Sequence, residues 1–215
     1  MPTFRGSQKG LWAQYDPGEL ATTEAFKRNP KLVWQWYEWR RRLISEAKPN
    51  PAHTALVQLV QLVDHFKLIT QNIDGLHQQA GSKSVIELHG NIFRTKCFQD
   101  GQVIDDWYDV EQIPPRCPSC NGLLRPDVVW FGESLPQEAL INAMIASQTC
   151  DLFFSIGTSS LIQPAASLAR YARQNRAMIV EINLAPTLLT PFADFVLSIP
   201  AGQILPILIN STFHQ

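Results

Sequence analysis

The chain has 215 residues, of which 45% are hydrophobic and 17% charged, and its formal net charge is −1. That length can bury a real core as one domain, or as one domain carrying a small insert, and the composition is globular and not disordered. The balanced charge excludes a sequence-independent nucleic-acid binder, no run of about 18 apolar residues offers a membrane span, and the first residues carry no apolar signal region.

In chain order, residues 13–50 read as a helical module rich in tryptophan, with Pro30 at a helix start and Pro49-Asn50-Pro51 at the exit. Ala52, Leu56, Leu59, Val60, Val63 and Phe66 share one helical face and lead into a strand at 67–70. A second short apolar run at 85–88 is also a strand. Residues 91–126 carry three of the four cysteines, several prolines and little periodicity, which suggests a small metal-ribbon insert. Further strands follow at 152–156, 178–182 and 195–199. Pro164 opens a helix towards Arg173, and a last helix covers about 203–209. Short apolar runs suit parallel strands covered on both faces, and their alternation with helices predicts a doubly wound α/β fold. Its large part comprises residues 1–12, 51–90 and 127–215. The clustered cysteines suit a reducing compartment, so a cytoplasmic protein is expected.

In such a sheet, ligands bind beyond the carboxyl ends of the strands. Leu68-Ile69 ends in Thr70, Gln71, Asn72 and Asp74, and Val85-Ile86 ends at His89-Gly90. Phe153 to Ile156 ends at Gly157-Thr158-Ser159-Ser160. Any one of these alone is more often a satisfied loop, because Asn and Asp favour turns and Gly-Thr-Ser is a common helix entry. Three in register point to a polar crevice.

Thr3-Phe4-Arg5-Gly6, Gly10-Leu11-Trp12, Gln71 to Asp74, Leu88-His89-Gly90, Arg125-Pro126, Val128 to Glu133, Gly157 to Ser160 and Glu181-Ile182-Asn183 occur in the order of the sirtuin motifs. The chain resembles that family over essentially its whole length. The resemblance implies a Rossmann-like domain with a small zinc-binding domain, and an NAD-dependent protein-lysine deacylase that releases nicotinamide and O-acyl-ADP-ribose. It implies His89 as general base on the ribose hydroxyls, a role suited to a side chain that titrates near neutrality. Asn72 and Asp74 would hold the nicotinamide amide, with Ile73 between them, and Gln71 would orient the ribose. Thr3, Phe4, Arg5, Trp12, Gly157, Thr158 and Ser159 fall at NAD contacts. Asn183, Leu184, Ala185 and Ala201 fall at the adenosine end. Val129, Trp130, Phe131 and Gly132 match the segment that pairs with an acylated-lysine peptide through its main chain; without the flanking motifs they read as a core strand.

Tyr37 and Arg40 stand three residues apart on the helix opened by Pro30, so they share a face. A phenol beside a guanidinium can receive a carboxylate, and the Tyr-x-x-Arg spacing resembles the sirtuin subgroup that removes succinyl, malonyl or glutaryl groups. Deacetylation is expected alongside. The other reading of Trp36 to Arg42 is a solvated basic helix edge with Tyr37 packed below it.

Cys117-Pro118-Ser119-Cys120 is half a zinc ribbon, whose partner half should lie upstream. Cys97-Phe98-Gln99-Asp100 stands there instead. A zinc site of Cys97, Cys117 and Cys120 with Asp100 as candidate fourth ligand fits this pattern, and so does an insert held by apolar packing alone. Cys150 reads as a small buried hydrophobe.

Sirtuins open with a strand and a Gly-Ala-Gly-x-Ser loop that cradles the NAD diphosphate, directly before a segment like Pro2 to Gly6, where this sequence starts. The expectation is two unpaired strand edges in the sheet, weak NAD affinity and marginal stability. A degenerate sirtuin that binds a peptide or partner without turnover is the alternative. An oxidoreductase on the same fold lacks support, because no Gly-x-Gly-x-x-G segment is present.

Overall fold

The computed structural model describes residues 16–104 and 112–213. In chain order the helices are α1 (Pro17–Leu20), α2 (Thr23–Arg28), α3 (Pro30–Ser45), α4 (Pro51–Leu59), α5 (Leu76–Gln79), α6 (Gln137–Thr149), α7 (Leu168–Gln174) and α8 (Ala201–Phe213). The strands are β1 (Leu68–Thr70), β2 (Val85–Glu87), β3 (Gly90–Cys97), β4 (Val103–Ile104), β5 (Leu124–Val128), β6 (Leu152–Ile156), β7 (Met178–Ile182) and β8 (Phe195–Leu197). The chain divides into two compact units. One is drawn from Met1–Lys48, Asn72–Gly75 and His89–Leu135, the other from Pro49–Gln71, Leu76–Leu88 and Pro136–Gln215.

The first unit joins three capped helices to an antiparallel sheet. Asp16, Thr22 and Asn29 accept from Gly18 N, Ala25 N and Leu32 N, so each helix start has a side-chain partner for an otherwise orphan N–H. Pro30 sits in the first turn of α3, as its spacing predicts. Val33, Trp36, Tyr37 and Ile44 turn one face of α3 into a core that also holds Phe26, Ile92, Val128 and Trp130. Trp34 points instead to a second cluster with Cys97, Ile104, Cys117 and Leu124. Each such side chain contributes about 1.5–3 kcal/mol by leaving water. Strand β3 pairs with both β4 and β5. This sheet has no counterpart in the periodicity of residues 91–126, because the β3–β5 register shifts between Asn91 and Thr95 and breaks the alternation.

The second unit holds the parallel strands in two groups, β1–β2 and β6–β7–β8. Along β7 the side chains alternate between two apolar clusters. Val180 and Ile182 pack with Ala52, Leu56, Leu205 and Ile209 of α4 and α8, and Ile179 packs with Ala169 and Ala172 of α7. Helices therefore cover both faces of this sheet, the doubly wound arrangement.

Three sequence expectations are corrected here. Helix α4 ends at Leu59 and does not continue to Phe66: the bonds tighten as Gln61 N reaches Gln58 O and Leu62 N reaches Leu59 O. This turns Leu62 and Phe66 to the core and leaves Val60 exposed. Pro164 precedes a single 3-10 turn, Ala165–Ser167, and the α-helix begins only at Leu168. Helix α8 is longer than 203–209 and runs through Pro206, because Leu205 and Ile209 anchor both sides of it in the core.

Candidate active site

In the second unit, three strand ends meet at Thr158. Strand β1 delivers Gln71, whose Nε2 donates to Thr158 Oγ1 at 3.2 Å. Strand β7 delivers Asn183, whose Nδ2 donates to the Thr158 carbonyl at 2.8 Å. Strand β6 ends at Gly157, which has φ 61° and donates its N–H to Ile182 O at 2.9 Å. Ser160 N adds a further bond to Thr158 Oγ1 at 3.3 Å. Ser159, Leu184 and Ala185 are exposed beside this node. Ala201 opens α8 and packs against the α4–α8 apolar cluster. The buried Glu181 accepts hydroxyls from Thr187 and Thr190 and so fixes the loop that follows Asn183.

In the first unit, His89, the Asn72–Asp74 segment and the Val129–Gly132 segment are joined through the start of β3. The His89 carbonyl accepts Val129 N at 3.0 Å, and Ile92 N donates to Ile73 O at 2.9 Å. Between them Gly90 has φ 75°, and a Cβ there would lie 2.1 Å from Asp127 O, so only glycine fits. Arg41 Nε donates to Ile92 O at 2.6 Å and ties α3 to the same point. His89, Ile73 and Asp74 are half-buried and Asn72 is exposed.

Tyr37 is fully buried, and its hydroxyl accepts Trp130 Nε1 at 3.0 Å. Burial pushes its phenol up to about 12, against the pull of Arg40. The Arg40 guanidinium lies over the Trp36 and Tyr37 rings, 4.8 and 5.9 Å from their centroids, and is itself half-buried. Arg40 is therefore a desolvated cation on an aromatic bed, and Tyr37 is indeed packed beneath it. Phe131 is 48% exposed, while its N–H is taken by Ala21 O at 2.9 Å. Gly132 has φ 84°, with open space where a Cβ would lie.

The Sγ atoms of Cys97, Cys117 and Cys120 all lie within 4.8 Å of one another, and those of Cys97 and Cys120 are 3.5 Å apart. Tetrahedral zinc with bonds of about 2.3 Å would place its sulfurs about 3.8 Å apart, so the three thiols fit one ion. Gln99 N and Gly122 N donate to the Cys97 and Cys120 sulfurs at 3.4 Å. Burial pushes the Cys97 thiol up to about 11, whereas the Cys120 N–H lowers that of Cys117. Asp100 spends Oδ1 on Gln102 N at 2.9 Å, and its backbone and side chain also meet the Cys97 thiol. Cys150 packs partly buried against the α7 cluster. Thr3, Phe4, Arg5 and Trp12 lie outside the described residues.

Arg41 and the Arg125–Glu133 ion pair beside Trp130 support these segments; the sequence reading placed Arg125 and Glu133 in family motifs but gave none of the three a role. Their partners are chosen by tertiary folding, so no spacing rule announces them.

Residues 1–164 match the model of the Sir2 family. The chain is 49% identical to NAD-dependent protein deacylase 2 of Pyrobaculum aerophilum over 98% of its own length and 84% of that protein. It superposes on a Sir2 homologue solved as a complex with NAD with TM-score 0.88 and 44% identity, covering 98% of this chain and 82% of that one. A Sir2 protein solved bound to an acetylated peptide gives TM-score 0.83 and 31% identity, covering 90% and 83%.

Proposed function

The chain belongs to the Sir2 family, and we propose that it is an NAD-dependent protein-lysine deacylase that removes carboxyl-bearing acyl groups, succinyl or malonyl, as well as acetyl. The observation that carries the activity is the coupling of His89 to Val129: one backbone hydrogen bond sets the candidate base beside the segment that would hold the substrate peptide. NAD supplies the electrophilic ribose carbon and the departing nicotinamide. Asn72 and Asp74 would hold the amide, Gln71 and Thr158 would orient the ribose, and His89 would take a hydroxyl proton. Asn183, Leu184, Ala185 and Ala201 serve the adenosine end, with Thr3, Phe4, Arg5 and Trp12 as further NAD contacts. Val129 to Gly132 hold the peptide main chain.

The acyl preference rests on Arg40. A guanidinium kept from water by Trp36 and Tyr37 gains more from a carboxylate than a solvated one does, because part of its own desolvation is already met by the fold. Burial lowers the Arg40 pKa, and the neighbouring Tyr37 opposes that shift. Cys97, Cys117 and Cys120 would hold a structural zinc with Asp100 as fourth ligand, and free cysteines suit a cytoplasmic enzyme.

The test is mass spectrometry of succinyl-lysine and acetyl-lysine peptides with and without NAD. Arg40→Met is expected to lose desuccinylation and keep deacetylation, and His89→Tyr to lose both. Equal desuccinylation by Arg40→Met removes the acyl assignment, and full activity of His89→Tyr removes the base.

A further inference from the structure

The segment Trp130–Gly132 ends in a residue without a side chain, and the space where a Cβ of Gly132 would lie is open. Its geometry is imposed from Glu133. Glu133 N donates to Trp130 O at 3.0 Å and Glu133 Oε2 accepts Trp130 N at 2.8 Å, so the two residues close the segment reciprocally. The carboxylate is in turn gripped by Arg125, whose Nη1 reaches Oε1 at 2.5 Å and whose Nη2 reaches Oε2 at 3.0 Å. Nη2 also donates to Val128 O at 2.6 Å, and Thr23 Oγ1 donates to Oε1 at 3.2 Å. The same guanidinium lies 3.2 Å from the Trp130 ring centroid, and Trp130 Nε1 reaches Tyr37.

Arg125 is 4% exposed. Burying an ion pair costs desolvation that its attraction repays only with good geometry, and apolar residues of similar volume would stabilise the fold as well. What the pair adds is direction: five contacts of its two side chains tie down the stretch Val128–Glu133. We infer that Arg125 and Glu133 are positioning residues for acyl-lysine peptide binding, setting the main chain of Trp130–Gly132 and, through Trp130 Nε1, its register against Tyr37. This rests on the deacylase reading of the same site. The lowered pKa of Glu133, where hydrogen bonds from Arg125 and Trp130 N outweigh burial, keeps the pair charged at neutral pH.

The experiment uses the full chain and fluorescein-labelled acetyl-lysine and succinyl-lysine peptides, with peptide affinity read by anisotropy, NAD affinity by calorimetry, and melting temperature. Glu133→Gln keeps the shape and removes the charge, and should weaken both peptides about tenfold, about 1.4 kcal/mol, with NAD affinity within about twofold of the parent. Thr23→Val removes only the third tie and should weaken them about two- to threefold. Asp194→Asn disturbs the bond from Ile179 N in the second unit, and should lower the melting temperature without changing peptide affinity. Peptide affinity of Glu133→Gln equal to the parent's, or falling no further than in Asp194→Asn at a matched loss of melting temperature, overturns the inference. Should Glu133→Gln not fold, Thr23→Val decides: unchanged peptide affinity overturns it. A parent that binds no peptide also overturns it, whereas a parent that binds peptide without NAD-dependent turnover rejects the deacylase reading alone.

Discussion

Replacing Gly90 by alanine tests the link between the backbone and His89. The new methyl would sit 2.1 Å from Asp127 O, more than an ångström inside ordinary contact, and the residue would hold φ 75°. The left-handed conformation costs about 1–2 kcal/mol for a residue with a Cβ. Pushing β5 away loosens the ladder at Gly90↔Val128 and Asn91↔Asp127, and two such bonds contribute about 1 kcal/mol each. The sum, about 3–4 kcal/mol, corresponds to a fall in melting temperature of about 6–16 °C for a chain of this size. Gly101 is the matched control, because it has the same φ of 75° but nothing within 4 Å of its Cβ. Gly101→Ala should therefore lose only the conformational part, about 2–8 °C. Because the His89 carbonyl is bonded to Val129 N, Gly90→Ala also moves the candidate base, and turnover should drop about a hundredfold in the fraction still folded. Thermal melts and steady-state kinetics on both variants measure this. Equal melting losses, or turnover untouched in Gly90→Ala, would refute the reasoning.

Two other outcomes are expected. The folded state favours the neutral Tyr37 phenol up to about pH 12 against an ordinary value of 10.0, so its stabilising share is intact below pH 10 and is lost as pH rises from 10 through 12. That share is about 2–3 kcal/mol; denaturant midpoints followed with phenolate absorbance should show the alkaline decline, and Tyr37→Phe should flatten it. For the sulfur cluster, Cys117→Ser or chelation should remove zinc, read by metal analysis, and lower the melting temperature by about 4 °C or more, while Asp100→Asn should weaken zinc binding and leave the three sulfurs able to hold it.

Strands β6 and β7 were legible to the residue, because each is an unbroken apolar run that ends in polar or turn-forming residues. Helix α3 was legible from Pro30. Strands β3 and β5 were not, since Asn91, Arg94 and Lys96 fall among Ile92, Phe93 and Thr95 without a period of two, and a bulge absorbs the mismatch. In the site, Gln71, Asn72, Asp74, His89 and Thr158 showed because polar groups gather where apolar runs stop. Arg125 and Glu133 stand eight positions apart in an irregular stretch, and Arg41 reaches a main-chain oxygen, so neither contact leaves a trace in residue type or spacing.

The Thr158 hydroxyl has two lone pairs and one proton to offer. Gln71 Nε2 and Ser160 N occupy the acceptor side, so whatever else meets this oxygen must take its hydrogen. The neighbouring amides thereby give an otherwise reversible group a fixed polarity. It can donate to an oxygen with lone pairs to spare, and has no room for another N–H. A serine would preserve that sense of direction and a valine would erase it, although the two differ by little more in bulk than a methyl group.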